Sequence, residues 1–222
     1  IGVFMGTSTS GIQQTEQAYS QAAQDQPLAA DFNYQTTQNI FSIGDFVARA
    51  LKLEGPVQVI STACSSSAKV FAAAYRHMAA GLCDAAIVGG VDSLCGMTLY
   101  GFNSLQLVST GPCRPADVNR DGLSIGEAAG FALLEWKRPQ YEGPCLLGYG
   151  ESADAYHMSS PHPQGLGAAM AMGRALAGSA LAASEIDYVN LHGTATPVND
   201  LSESHGLLKI FTSNPACSST KG

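Results

Sequence analysis

Apolar residues along this chain fall into short continuous runs, separated by longer stretches in which small apolar residues recur at helical spacing. The runs Ile1–Met5, Val57–Ile60, Ala85–Val88, Gly130–Leu134 and Tyr188–Leu191 read as strands, each short and mostly bounded by turn-forming residues. Ser65–Ala80 reads as a helix stopped by Gly81, and Gly165–Ala177 and Leu201–Ile210 as two more. Strands of this kind alternating with helices predict an α/β fold with buried, largely parallel strands. Arg114–Gly126 is a polar loop rich in Pro, Asp and Gly. Pro, Gly and charge cluster again at Pro139–Pro144 between two apolar segments, which marks a linker. The chain is therefore expected to divide into residues 1–140 and residues 141–222. It contains no short repeat and no low-complexity tract.

Length and composition narrow the function classes. At 222 residues the chain is about one and a half domains of roughly 150 residues each. Charged residues are 13% and apolar residues 45%, against a usual charged share of about 25%. Disorder and a heavily charged nucleic-acid binder are excluded. So little charge points to surface buried against a second subunit. The net charge is −7, and no basic cluster offers a landing strip to a phosphate backbone. No apolar run approaches the roughly 18 residues of a membrane span, so no membrane partner is expected. Six cysteines stand at 64, 83, 95, 113, 145 and 217, without a Cys-x-x-Cys and without zinc-finger spacing. Reduced thiols in a cytoplasmic protein, with no bound metal, are the expectation. The chain opens IGVFMGTSTSG, with neither an initiator Met nor a signal peptide, and stops at SSTKG. It is expected to be a fragment of a longer polypeptide.

One cysteine carries candidate chemistry. The strand Val57–Ile60 runs through Ser61-Thr62-Ala63 into Cys64, and a helix rich in small residues follows at once. A thiol there meets unpaired backbone N–H groups and the positive end of the helix dipole, which favour a thiolate. The same N–H groups can hold the oxyanion of a thioester under attack, in the manner of a nucleophile elbow. A tightly packed crossover would need the same small residues, and local sequence leaves the two readings level. Among five histidines, His192 ends an apolar run and precedes Gly193-Thr194-Ala195-Thr196-Pro197, a position where α/β sites form. It too has a purely packing role as its alternative. His77 and His205 lie in helices and read as surface residues, while His157 and His162 occupy a loop that lines a pocket or caps one.

The motifs taken together resemble the β-ketoacyl-acyl carrier protein synthases of the elongating type. The resemblance rests on GTSTSG at 6–11, STACSSSA at 61–68, IVGGVD at 87–92, RPADVNRDG at 114–122 and GEAAG at 126–130. It continues in DAYHMSSPHP at 154–163, HGTATPVND at 192–200 and SSTKG at 218–222. These fall in the family's order and span essentially the whole chain. The resemblance implies a thiolase-like five-layered fold of two similar halves, incomplete here at both ends. Residues 1–140 would belong to the N-terminal half with the nucleophile, and 141–222 to the C-terminal half with a histidine and a lysine.

It further implies Cys64 as the acyl-accepting nucleophile, His192 as the first catalytic histidine and Lys221 as the active-site lysine. The family's second histidine follows that lysine, beyond Gly222. Thr194 and Thr196 match hydroxyls on the pantetheine arm, with Ser159 near the same arm. Ile12, with Gly11, matches the floor of the acyl pocket, and Phe102 completes the implied substrate contacts. No cofactor is bound by the chain, since phosphopantetheine belongs to the acyl carrier protein, which is the implied partner. Arg49, Lys52, Lys69 and Arg76 are candidates for a local basic docking patch. A homodimer, or a heterodimer with a related synthase subunit, is also implied.

Two departures stand out: Gln106 where many such synthases carry Arg, and Ala128 in place of a usual Gly. Asp117, Arg120, Asp121 and Glu127 read as a structural salt-bridge network. The implied activity is the decarboxylative condensation of a Cys-bound acyl group with malonyl-carrier in fatty acid synthesis. A ketosynthase of a polyketide or aryl-polyene pathway is the alternative, as is a non-catalytic partner subunit of the chain-length-factor kind. Thiolases, the initiating type of synthase and a cysteine hydrolase are weaker rivals.

Overall fold

A computed structural model describes residues 1–22 and 27–222. Among these residues, six strands and six α-helices follow one another, in two compact units. The first unit holds residues 1–101 and 125–142, and the second holds residues 102–124 and 143–222. The segment 102–124 thus packs with the second unit, although it precedes the last strand of the first.

In the first unit, β1 (Gly2–Gly6) lies between β2 (Val57–Ile60) and β3 (Ala85–Asp92) and is parallel to both. Val3, Phe4 and Met5 are all fully buried, because both faces of this central strand are covered. Phe4 joins Val70, Ala74 and Met78 of α3 (Ser66–Ala79), together with Ala86 and Val88, on one face. Val3 and Met5 join Val47 and Ala48 of α2 (Ser42–Ala50) on the other. His77 is not a free surface group: its Nδ1 lies 2.9 Å from the Ala73 carbonyl and its ring meets Phe4 edge-on at 4.9 Å.

Two expectations for the sheet need correction. β3 runs on to Asp92, because Gly89 and Gly90 continue the ladder rather than turning the chain. β4 (Ala128–Glu135) is antiparallel to β3, and every residue of it except Leu134 is exposed. Three helices had no counterpart in the sequence reading: α2, α1 (Ile12–Gln21) and α4 (Gly96–Ser104). In α1 only Ile12 is buried, and in α4 nothing is, so neither carries an apolar stripe.

The second unit packs α5 (Leu166–Ser179) against α6 (Pro197–Ile210). α6 begins at Pro197, earlier than the pattern suggests, because proline suits the first helical position. A parallel pair, β5 (Tyr188–Asn190) and β6 (Ala216–Ser218), brings the chain's last residues alongside His192. Among the described residues, no helix is long and apolar enough to cross a membrane.

Candidate active site

In the first unit the cysteine turn is built on two glycines. Gly6 of β1 and Gly90 of β3 face each other in register. A Cβ at Gly6 would stand 2.6 Å from the Ser66 backbone, and one at Gly90 would collide with the Ser67 hydroxyl. Bare backbone at both positions therefore lets the first turn of α3 sit directly on the strand ends. The turn itself is clamped by Ser66, a buried residue whose Oγ accepts the Thr62 N–H at 2.9 Å and donates to the Ala63 carbonyl at 2.6 Å. Thr62 and Ser65 add a hydroxyl pair at 2.9 Å. Ala63 takes a left-handed φ of 52° although it has a side chain. Such a conformation persists only where its surroundings over-determine it. The result is a sharp strand-to-helix turn that leaves Cys64 exposed at the start of α3. Among the described residues the Cys64 amide has no partner, so this N–H is open to an oxyanion.

Ile12 opens α1 and is buried, next to Gly11, whose N–H donates to the Thr37 carbonyl at 3.0 Å. A groove of about 440 Å³ lies along α1 between Gln14, Ala18, Phe32 and Thr37 and includes none of the expected site residues. Of the basic candidates, Arg49 bonds the Asp45 carbonyl on its own helix at 3.3 Å.

The second unit gathers His192, Thr194, Thr196 and Lys221. Both carboxylate oxygens of Glu203, on α6, accept backbone N–H groups: His192 at 2.7 Å and Gly193 at 2.9 Å. The Lys221 ammonium sits 3.2 Å from His192 Nδ1 and also donates to the His192 carbonyl. An ammonium has protons to give and no lone pair to receive one. Nδ1 is therefore the acceptor, and the ring proton of the neutral imidazole lies on Nε2. Loss of water around the ring, though the residue keeps an exposed edge, holds His192 below the usual imidazole range. The Lys221 charge pushes the same way, while Glu203 and Asp200 oppose it. Ser219 ties the last residues down, donating to the Gly193 carbonyl at 3.0 Å and accepting the Lys221 N–H at 3.3 Å.

The two threonine hydroxyls lie 2.9 Å apart. Their turn is fixed by buried Asp200, which accepts N–H groups from Ala195 at 3.2 Å and Ala116 at 2.8 Å and faces the Arg120 guanidinium at 3.6 Å. Ser159 lies in an exposed loop, its N–H donating to His157 Nδ1 at 3.1 Å. Phe102, near the end of α4, is half-buried. His205, expected at the surface, is half-buried, with Nδ1 2.8 Å from the Pro163 carbonyl.

The four residues expected to form a salt-bridge network do not form one. Arg120 pairs with Asp200, Asp117 accepts the Asn119 N–H at 2.6 Å, and Glu127 accepts the Leu94 N–H at 2.9 Å. Asp121 accepts hydroxyls from Ser109 and Thr110, which hold its carboxyl down to about 2. The three acids each accept from a different segment, and Arg120 pairs with Asp200 instead of with them. Sequence reasoning passed over Glu203 and Ser219. Glu203 falls three residues after Asp200 on one helix face, a spacing that could have flagged it.

Residues 1–139 match the family described as beta-ketoacyl synthase, N-terminal domain, and residues 145–222 match its C-terminal domain. A 3-oxoacyl-[acyl-carrier-protein] synthase 2 from Vibrio cholerae is 32% identical, covering 100% of this chain and 57% of the relative. A mitochondrial 3-oxoacyl-[acyl-carrier-protein] synthase from Arabidopsis thaliana is 36% identical, covering 76% of this chain and 41% of the relative. The chain thus spans about half the length of the curated relatives it matches. Among solved structures, a ketosynthase from Xenorhabdus doucetiae, in complex with its chain length factor, superposes with a TM-score of 0.88 at 43% identity. The match covers 99% of this chain and 55% of that one. A beta-ketoacyl synthase from Burkholderia phymatum STM815 gives 0.86 at 29%, covering 99% and 56%.

Proposed function

Because the chain belongs to the β-ketoacyl synthase family and carries part of its thiolase-like α/β fold, we propose that its protein is a 3-oxoacyl-[acyl-carrier-protein] synthase. The observation that carries this reading is the donor on His192. Lys221 occupies Nδ1, the ring is kept neutral, and Nε2–H is left to donate. A neutral N–H suits an oxygen that gains charge as a thioester becomes an enolate.

The proposed reaction starts with the Cys64 thiolate adding to the carbonyl of an acyl thioester, with the Cys64 amide toward the oxyanion. The bond to the carrier's sulfur then breaks, and the carrier leaves as a thiolate that takes up the proton Cys64 gave up on ionising. The acyl group is held on Cys64, which divides one condensation into two easier steps. A malonyl thioester next loses carbon dioxide, and the electron pair of the broken C–C bond passes into an enolate whose oxygen accepts from His192 Nε2–H. The enolate carbon attacks the Cys64 thioester and expels the thiolate, giving a β-ketoacyl thioester. Lys221 keeps its proton and orients His192. Thr194 and Thr196, with Ser159 nearby, would bind the pantetheine arm; Ile12 would form the floor of the acyl pocket, and Phe102 is proposed as a substrate contact. The proposed chemistry calls for no metal and, since none of its steps takes electrons from or gives them to an outside agent, no redox cofactor; phosphopantetheine arrives on the acyl carrier protein. Arg49, Lys52, Lys69 and Arg76 are the proposed basic docking patch for that carrier, and the cytoplasm is the proposed compartment.

The experiment is intact mass after incubation with an acyl-carrier thioester. One acyl adduct, lost in Cys64→Ala, is the expected result. No adduct, or an adduct that survives Cys64→Ala, would overturn the nucleophile assignment.

One observation favours assembly with a second synthase subunit. The Xenorhabdus neighbour, at 43% identity, is a ketosynthase solved with its chain length factor. We therefore propose that this protein pairs with a related synthase subunit, as a heterodimer or a homodimer. Fatty acid elongation stays the proposed pathway, and a polyketide or aryl-polyene pathway its alternative. Products released with malonyl-carrier present distinguish the pathways: a saturating cycle yields saturated chains, and a polyene pathway yields conjugated ones.

A further inference from the structure

Asp92 ends β3, and no step of the proposed reaction uses it. A single oxygen of its carboxylate, Oδ1, accepts the Thr7 hydroxyl at 3.0 Å, the Ser8 N–H at 2.6 Å, the Thr9 N–H at 3.0 Å and the Thr9 hydroxyl at 3.1 Å. These donors are more than eighty residues away in sequence. The β1 ladder stops at Gly6, so the amides of Ser8 and Thr9 have no strand to bond, and Asp92 takes the place of that strand. Thr7 and Thr9 are buried, which leaves water little part in satisfying them.

The knot continues into the start of α1. Thr7 Oγ1 accepts the Ser10 N–H at 2.8 Å, and Thr9 Oγ1 accepts the Ser93 N–H at 2.9 Å. Ser10 holds a left-handed φ of 45°, and its hydroxyl reaches the Asn39 carbonyl at 3.2 Å and the Ser42 hydroxyl at 3.3 Å. Gly11 and Ile12 follow immediately. On the same two strands, one residue before Thr7 and two before Asp92, Gly6 and Gly90 carry the turn that presents Cys64.

We propose that Asp92 is a positioning residue for acyl-chain selection at Cys64. Its carboxylate ties the strap Thr7–Ser10 to the end of β3 and so fixes where α1 begins and where Ile12 stands. This rests on the reading of Cys64 as the acyl acceptor and Ile12 as a wall of the acyl pocket. With the strap released, Ile12 can withdraw and longer chains gain relative to shorter ones.

The test compares initial rates of Cys64 acylation by butyryl-carrier and dodecanoyl-carrier, read by intact mass. Asp92→Asn keeps the size of the side chain and removes its charge. The expected result is a dodecanoyl-to-butyryl rate ratio raised by about tenfold, the scale on which a small change in a hydrophobic pocket discriminates substrates. A merely structural defect lowers the active fraction for both chains alike and leaves the ratio where it was. Thr9→Val, which without changing size removes one of the four donors and the acceptor of the Ser93 N–H, is expected to move the ratio in the same direction by less, and it decides the matter if Asp92→Asn does not fold. A ratio unchanged in a folded Asp92→Asn protein, or in Thr9→Val where that variant decides, overturns the proposal. A wild-type protein that loads neither chain is a different result, and overturns the synthase reading itself.

Discussion

His192 is held neutral chiefly by the loss of water around its ring and then by the Lys221 cation, against the pull of Glu203 and Asp200. Its pKa therefore lies below the ordinary value of about 6.5. A group depressed in this way adds stability that is present above the ordinary value and lost as the pH falls through the folded one. The same sign governs chemistry: malonyl decarboxylation should persist through pH 6.5, with its acid limb lower still. Lys221→Met removes one of the two lowering causes, so the acid limb should move up in pH, which a decarboxylation profile from pH 4 to 8 would reveal. His192→Ala should spare Cys64 acylation and slow decarboxylation by about 10²–10³, the usual cost of one oxyanion donor. Both His192 and Lys221 were legible in the sequence, since each sits in a motif matching a known family. Glu203 was not, and Asp92, although it closes the motif IVGGVD, gave no hint of its role. Each is a lone acid whose meaning comes from backbone amides distant along the chain or across a turn, and hydropathy carries no trace of such a bond.

The strand-to-helix turn works because two glycines remove side chains where α3 meets β1 and β3. Gly6→Ala would set a methyl group 2.6 Å from the Ser66 backbone, which cannot move without dragging the turn. The expected cost is about 1–3 kcal/mol, as for other overpacked sites, seen as a lower denaturation midpoint together with slower Cys64 acylation. Elements whose burial is continuous were legible: β1, β2 and α3 put apolar or small residues wherever the core requires them. α1 and α4 were not. The sequence of α1, IQQTEQAYSQ, buries a single residue, and α4 is tied at its start by Glu16, which accepts the Gly96 N–H at 2.8 Å. A helix fixed by one carboxylate leaves no periodic pattern to read.

At the scale of the molecule, β4 presents Phe131 and Leu133 on one face, each more than half exposed. Alternate residues of a strand point the same way, so the two form a continuous apolar strip. Such a strip on an eight-residue edge strand invites association. Phe131→Ser with Leu133→Lys should lower self-association of the 222-residue chain, measured by light scattering, without a lower denaturation midpoint. By itself the sequence determined where β1, β2 and the cysteine helix form, and which short motifs match the synthase family. Those properties are local, set by the side chains of a few neighbouring residues. Tertiary structure alone decided that β4 runs antiparallel, that residues 102–124 pack with the second unit, and that Asp92 and Glu203 hold the backbone at their respective sites. These depend on groups brought together by folding, and a hydrogen bond between such groups is selected by distance in space, which no spacing along the chain encodes.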